Sequence, residues 1–209
     1  MFGYVLLGAT YGFAAAAQPG QFQAFLLSRT ARDGWRPTIP AALAPLLSDL
    51  PIVVLVLFVL VRVPPAFLAV LRLIGGGFLL YLAFGALSSW RRYQPPAEND
   101  SARAHETLLQ AALVNFLNPS PYLAWSTVLG PLVIEAWRKA PLDAGGLVVA
   151  FYATMILATV AVIVVFALTH SLGPRVARGM VGVSAIALAA FGVYQLLVGT
   201  VAVRALGLM

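Results

Sequence analysis

Six long apolar blocks divide this chain and constrain its fold more than any other feature. They cover about residues 2–28, 38–61, 65–90, 108–137, 142–171 and 175–203. Each block is at least as long as the ~20 apolar residues that an α-helix needs to cross the hydrocarbon core of a bilayer. Only 10% of the residues are charged, against roughly 25% in a soluble domain. The sequence therefore predicts an all-α integral membrane protein with six transmembrane helices.

A polar segment at residues 91–107 separates the third block from the fourth. We interpret it as a cytoplasmic linker between two three-helix repeats, residues 1–90 and 108–209. An odd number of helices per repeat places the repeats in opposite orientations, and inverted repeats of this kind build many secondary transporters.

The basic residues indicate an orientation, because short cytoplasmic loops carry an excess of Lys and Arg. With six spans, one side of the membrane receives Arg29, Arg32, Arg36, Arg91, Arg92, Arg103, Arg175 and Arg178. The other side receives Arg62, Arg72, Arg138, Lys139 and Arg204. This bias favours a multi-pass membrane protein with both termini outside.

Several function classes lack the residues that they need. The chain has no cysteine, which excludes disulfides and thiolate chemistry. It has no zinc-protease, hydrolase-elbow, phosphate-loop or dinucleotide motif. Its basic residues form no cluster of the kind that binds nucleic acid. We expect no enzyme activity, no cofactor, no metal site and no nucleic-acid partner.

Two proline-containing motifs interrupt the first helix of each half, Gln18-Pro19-Gly20-Gln21 and Asn118-Pro119-Ser120-Pro121. Proline removes a backbone donor, so we expect carbonyls near residues 14–16 and 114–116 to lose their normal helical partners. Matched interruptions in two halves point to a binding site near the membrane midplane, although such motifs also occur as simple kinks. The expected substrate-binding residues are Gln18, Pro19, Gly20, Gln21, Asn115, Asn118, Pro119 and Ser120.

Asp49 is the one acidic residue in the interior of an apolar block, since Glu135 and Asp143 lie at block ends. A carboxylate at the centre of a membrane helix costs roughly 2.5 kcal/mol or more, and such a residue usually faces a cavity or a proton path. We predict that Asp49 couples transport to protons or contacts a substrate amine. The alternative is a hydrogen-bonded core residue that locks the helices together, against Gln18 or Asn118.

The third block contains Gly75-Gly76-Gly77, which predicts a close helix crossing. Small residues of this kind also permit a homodimer. Arg72 lies one turn before these glycines, and we expect its side chain to snorkel to the membrane surface.

Four segments together resemble the lysine exporter (LysE/RhtB) family: Gln18-Pro19-Gly20, Ser48-Asp49, residues 73–82 (LIGGGFLLYL) and residues 115–119 (NFLNP). The resemblance covers roughly the first 130 residues. It implies a bacterial inner-membrane exporter of amino acids or related small metabolites, driven by protons or the membrane potential. The chain departs from the family at Gln21, where a proline is usual, and at Ser120, where a lysine is common.

We therefore expect an exporter with a small-molecule substrate, in which the amides at the two breaks bind the solute. Two alternatives stay open. One is an inorganic cation exporter, which would need several converging carboxylates or carbonyls. The other is a membrane protein that does not transport and handles lipid-linked material.

Overall fold

Helices form every regular element in the part of the chain that the computed structural model describes, residues 1–56, 64–91, 101–168 and 173–207. The end of the second apolar block, most of the polar segment and the end of the fifth block lie outside these residues.

The first half contains a broken helix, an irregular helix and a long helix. The break follows Ala17, and the irregular helix joins a single α-turn, a 3₁₀ turn and an α-helix. The elements are α1 (Phe2–Ala17), α2 (Gln21–Asp33), α3 (Trp35–Thr38), a 3₁₀ turn (Ile39–Leu43), α4 (Ala44–Val54) and α5 (Pro65–Arg91).

The second half begins with a broken helix as well, and two long helices follow it. Its first helix also breaks at a proline motif, and a π-turn lies within the part after the break. The elements are α6 (Ser101–Phe116), α7 (Pro119–Ala124), a π-turn (Trp125–Leu129), α8 (Gly130–Lys139), α9 (Pro141–Leu168) and α10 (Pro174–Ala205).

Two element boundaries differ from those expected from the hydropathy pattern. Helix α2 continues past residue 28 to Asp33, where Gly34 ends it with a positive φ of 87°. Helix α6 begins at Ser101, so the last residues of the expected polar linker are helical. Both extensions are amphipathic helix ends that a hydropathy window excludes because of their charged residues.

Within the described residues, four helical stretches are long and apolar enough to cross a membrane. They are Trp35–Val54, Pro65–Arg91, Pro141–Leu168 and Arg178–Ala205. Helix α1 is apolar but shorter, because the break at residues 18–20 divides the first apolar block.

Glycines bring two pairs of helices into close contact. Gly8 and Gly12 of α1 lie directly against the carbonyls of Leu147 and Phe151 on α9. Between α5 and α10, a Cβ on Gly76 would lie 2.9 Å from the Gly192 carbonyl oxygen. The predicted crossing at the three glycines of α5 is confirmed for Gly76, which packs against α10.

The remaining two glycines of that triplet differ from each other. A Cβ on Gly75 would lie 2.7 Å from the Leu117 carbonyl oxygen, whereas Gly77 has open space around it. Helix α5 is therefore held between α10 on one face and the end of α6 on another.

Polar contacts define two ends of the helix bundle. At the first, the Met1 amino group pairs with Asp143 at 2.7 Å, and Tyr4 donates to Glu135 at 3.1 Å. At the opposite end, Arg178 donates to the Trp90 carbonyl at 3.1 Å. We call these the termini end and the linker end.

One hydrophobic cluster lies between the breaks and the linker end. Its buried members come from α2, the 3₁₀ turn, α4, α5, α6, α9 and α10, and include Phe25, Leu26, Ala41, Leu79, Val114, Ile163 and Leu188. Because seven elements contribute to it, this cluster seals the linker half of the bundle.

We expect Gly12→Ala to destabilise the folded protein, because its methyl group would press on the α9 backbone, which cannot rotate away. Over-packing of this kind costs about 1–3 kcal/mol. Thermal unfolding in detergent measures the effect. Gly3→Ala is the matched control on the same helix, since a Cβ there meets nothing within 4 Å. Equal melting temperatures for the two variants would contradict the described α1–α9 contact.

Candidate functional site

Both helix breaks have the same backbone conformation. Gln18 has φ −63° and ψ 119°, and Asn118 has φ −81° and ψ 125°. A residue before proline is sterically restrained from the helical region and adopts an extended conformation. The dipeptides Gln18-Pro19 and Asn118-Pro119 therefore end α1 and α6 for the same local reason.

Side chains and nearby amides satisfy several backbone groups at the breaks. Gln23 Nε2 donates to the Ala16 carbonyl at 2.8 Å. Asn118 Oδ1 accepts from Ser120 N at 3.0 Å and so caps α7. The expectation that carbonyls near both breaks lose their normal partners is wrong for Ala14, which accepts from Gln18 N at 2.9 Å. Asn115 has Pro119 four residues on, and its carbonyl accepts from Asn118 N instead, at 3.1 Å.

A cavity of about 630 Å³ lies between the two breaks. Eight of the nine residues expected from the sequence to form the site line it: Gln18, Gly20, Gln21, Pro19, Asp49, Asn115, Asn118 and Ser120. Pro119, the ninth, is buried and is not part of the lining. The structure thus brings both motifs and the buried acid to one cavity.

Asp49 is 3% exposed and accepts hydrogen bonds from three elements of the second half. Asn115 Nδ2 lies 2.9 Å from one carboxylate oxygen. Tyr152 OH and Trp125 Nε1 lie 3.2 Å and 3.5 Å from the other. Neither Gln18 nor Asn118, the partners considered for a purely structural Asp49, contacts it in the recorded hydrogen bonds.

The environment of Asp49 contains donors without a balancing cation. No Lys, Arg or His among the described residues forms a recorded ion pair with it. Asn115 also donates to Ser48 Oγ at 2.7 Å, which fixes the orientation of its amide. Asp49 is therefore a rigidly positioned acceptor at the wall of the cavity.

Aromatic rings and aliphatic side chains form much of the remaining cavity wall. Phe151 packs edge-on against Trp125 at 6.1 Å and against Tyr152 at 5.0 Å between ring centroids. Both partners of Phe151 donate to Asp49. These edge-on ring contacts hold the two donors in place and give the cavity an apolar side.

Sequence reasoning missed Trp125, Tyr152 and Gln195 as site residues. Trp125 and Tyr152 stand in apolar runs where aromatic residues are ordinary, so no local signal distinguishes them. Gln195 is a polar amide inside the last apolar block, and a polar residue in such a position could have been recognised as a candidate from the sequence. It lines the cavity from α10.

Arg72 differs from its expected role. Its Nη1 donates to Gln195 Oε1 at 3.2 Å, and its Cβ packs near Gly199 of α10. The guanidinium contacts α10 within the helix bundle instead of only snorkelling along α5 to the membrane surface.

Arg29 also differs from the loop position expected for it. It lies within α2, is 6% exposed, and pairs with Asp33 at 2.9 Å and with Glu106 of α6 at 3.0 Å. It donates to Gln110 as well. Because α2 continues to Asp33, these charges form an ion-pair network at the linker end.

Comparison with known proteins places this architecture in context. The model of the LysE type translocator family matches residues 13–204, which include both breaks, Asp49 and Gln195. No curated protein and no solved structure matches the chain.

We expect Asn118→Ala to lower stability by about 0.5–2 kcal/mol, because the N-terminus of α7 loses its side-chain cap. Asn118→Ser is the matched control, since serine is also a good cap. Thermal unfolding of the two variants in detergent separates them. If both melt like the wild type, the Asn118–Ser120 cap contributes nothing to stability.

Proposed function

Since this chain belongs to the LysE type translocator family and is a multi-pass membrane transporter, we propose that it exports amino acids or related small metabolites. The observation that carries the proposal is the single cavity where both helix breaks meet Asp49. Broken helices at the bilayer midplane are typical of secondary-transporter sites, because backbone groups freed there can contact the solute.

Asp49 gives the site a preference for positive charge. Its carboxylate lines the cavity, is buried, and accepts only neutral donors among the recorded hydrogen bonds. A substrate ammonium group would supply the missing positive charge, and a proton would neutralise it in the substrate-free protein. Asp49 can therefore exchange an amine for a proton during each cycle.

The amide side chains that line the cavity also favour a polar organic solute. Gln18, Gln21 and Asn118 line the cavity together with Asn115. Amides both donate and accept hydrogen bonds, so they can contact a carboxylate, an amine or a substrate hydroxyl. We assign these residues to solute binding.

We propose that the chain crosses the membrane six times and that its two halves are inverted repeats. Each half begins with a helix that breaks at an amide-proline dipeptide with nearly equal backbone angles. The last helices of the two halves, α5 and α10, pack against each other at Gly76 and Gly192. We propose residues 1–90 and 108–209 as the repeats, with residues 91–107 as the cytoplasmic linker between them.

The two ends of the cavity differ in a way that supports alternating access. Towards the linker end, a hydrophobic cluster that contains Phe25 and Leu26 follows directly after the breaks. Beyond it, Arg29 joins α2 to α6 through Glu106. Towards the termini end, the cavity extends along Tyr11 and Val128. We propose that this is the conformation closed towards the linker.

The proposed orientation assigns each end of the cavity to one side of the membrane. With both termini outside the bacterial inner membrane, the closed end faces the cytoplasm and the cavity faces outward. The exporter would bind its solute after the Arg29 network opens, and protons or the membrane potential would drive the return. Protons, the solute and the bilayer are then the partners of this chain, with a homodimer permitted.

No specific observation favours the alternatives. Among the described residues, no group of three or more His, Cys, Asp or Glu side chains is placed to hold a metal ion. Nothing in the described cavity distinguishes lipid-linked material as its ligand.

We expect export of one or more amino acids from cells that contain the wild-type protein, and loss of that export with Asp49→Asn. The amide keeps the shape of the side chain but cannot bind a proton or balance an ammonium group. The measurement is efflux from cells preloaded with a panel of labelled L-amino acids, with and without a protonophore.

The control for this measurement is Glu135→Gln, which removes an exposed carboxylate at the termini end. It should export like the wild type. Wild-type efflux and pH dependence in Asp49→Asn would make the carboxylate purely structural, and no efflux of any amino acid from wild-type cells would contradict the proposed function.

We expect single cysteines to report which end of the cavity is open, because the natural chain contains none. Ser120→Cys, in the cavity lining, should react with a membrane-impermeant thiol reagent applied from the termini end. Ser28→Cys, buried beside Arg29, should be protected and should become reactive when Arg29→Gln is added, since the ion-pair network is then broken.

The cysteine-free parent, with and without Arg29→Gln, is the control for background labelling. If cysteine at position 28 reacts equally in both backgrounds, the Arg29 network does not close the linker end. If cysteine at position 120 reacts only from the opposite side, the proposed accessible side is wrong.

A further inference from the structure

Three polar side chains form a hydrogen-bond network from α5 to the cavity wall. Arg72 Nη1 donates to Gln195 Oε1 at 3.2 Å, and Gln195 Nε2 donates to Gln21 Oε1 at 3.5 Å, a long hydrogen bond. Gln195 and Gln21 both line the cavity. This network thus connects the Arg72 guanidinium on α5 to two amides that face the solute site.

Arg72 fixes which side chain donates and which accepts in this network. A guanidinium has donors and no acceptor, so Gln195 must turn its oxygen to Arg72 and its amide nitrogen away from it. Gln21 then receives a donor at its oxygen, which leaves its own nitrogen for other partners. Among the described residues, no hydrogen bond is recorded for Gln21 Nε2, and it is not one of the fully enclosed unpartnered atoms. The wall formed by α2 and α10 therefore presents N–H donors.

No acidic side chain that the structure describes balances the charge of Arg72. It lies two turns into α5, a helix long enough to span the membrane, and no Asp or Glu within the described parts of the chain pairs with it. An unpaired charge in a transmembrane helix is costly, and such residues commonly serve ion or substrate paths. An anionic group in the cavity would reduce this cost.

The cavity therefore has two walls of opposite character. Asp49 contributes an acceptor with a negative charge, and the amides of Gln195 and Gln21 contribute donors backed by the positive charge of Arg72. A solute that carries both an ammonium and a carboxylate group complements both walls, whereas an amine or an acid alone leaves one charge uncompensated.

We propose that Gln195 and Gln21 form the carboxylate subsite of this transporter and that Arg72 is its positioning residue. The amide nitrogens contact the solute carboxylate, and Arg72 orients Gln195 and supplies positive potential from behind it. This inference rests on the proposed function, and it restricts the substrate to zwitterionic amino acids with a free carboxylate.

The test uses the full-length protein in proteoliposomes and measures transport of labelled L-amino acids. For each amino acid that the wild type transports, its methyl ester and its decarboxylated amine are tested as competitors. We expect Arg72→Met to raise KM for the amino acid by roughly tenfold or more, the loss associated with a hydrogen bond to a charged group. Arg72→Lys should recover part of the loss because it restores the charge.

Two further variants and the competitors separate a binding role from a structural one. Gln195→Leu should raise KM as Arg72→Met does, and Arg204→Gln, at an exposed arginine near the end of α10, should leave KM unchanged. The decarboxylated amine lacks the group that this subsite recognises, so its weak competition should be the same in wild type and in Arg72→Met. A structural defect would lower the maximal rate per folded protein and leave KM unchanged.

The outcomes distinguish this inference from the proposed function. If the wild type transports an amino acid and Arg72→Met has the wild-type KM, or if the methyl ester competes as well as the free acid, the carboxylate subsite is wrong and the exporter proposal stands. If the wild type transports no amino acid, the proposed function fails and this inference fails with it.

Discussion

In a bilayer, a broken helix exposes backbone polar groups where no water can satisfy them, and this constraint underlies the whole arrangement of the chain. Each half breaks its first helix at an amide followed by proline, and each break needs hydrogen-bond partners from the protein or from a polar cavity. Gln23 and Asn118 supply part of that requirement through the Ala16 carbonyl and the Ser120 amide. The cavity between the breaks accommodates the remainder.

The buried carboxylate depends on the same arrangement. Asp49 is on α4 of the first half, but its three donors come from α6, the π-turn and α9 of the second half. The acid is tolerated in the membrane interior because the two halves enclose it together. A movement of one half against the other would therefore change the hydrogen bonds of Asp49, which gives a physical route for coupling between conformation and proton or substrate binding.

The closure of the linker end combines apolar packing with an ion pair. The cluster around Phe25 and Leu26 excludes water on the linker side of the breaks, and Arg29 with Glu106 bridges α2 and α6 beyond that cluster. Glu106 is 58% exposed, so solvent screens the pair and it adds little net stability, but it still holds α2 against α6. Such a contact suits the gate that we propose at the linker end.

The sequence by itself determined the membrane class, the positions of both breaks and the prominence of Asp49, because apolar length, proline and an isolated charge act through local chemistry. The backbone angles at Gln18 and Asn118 follow from the proline after each of them. Hydropathy also located the helices, except at the ends of α2 and α6, where amphipathic turns carry charged residues.

Only the tertiary structure decided which side chains share a cavity. Nothing near Tyr152 or Trp125 in the sequence marks them as partners of Asp49, and nothing near Arg72 indicates that Gln195, on the last helix, would accept from it. These pairings join residues that are distant along the chain, and they depend on which helix faces pack together. The glycine contacts of α1 with α9 and of α5 with α10 determine those faces, and their geometry follows from the packed structure as a whole.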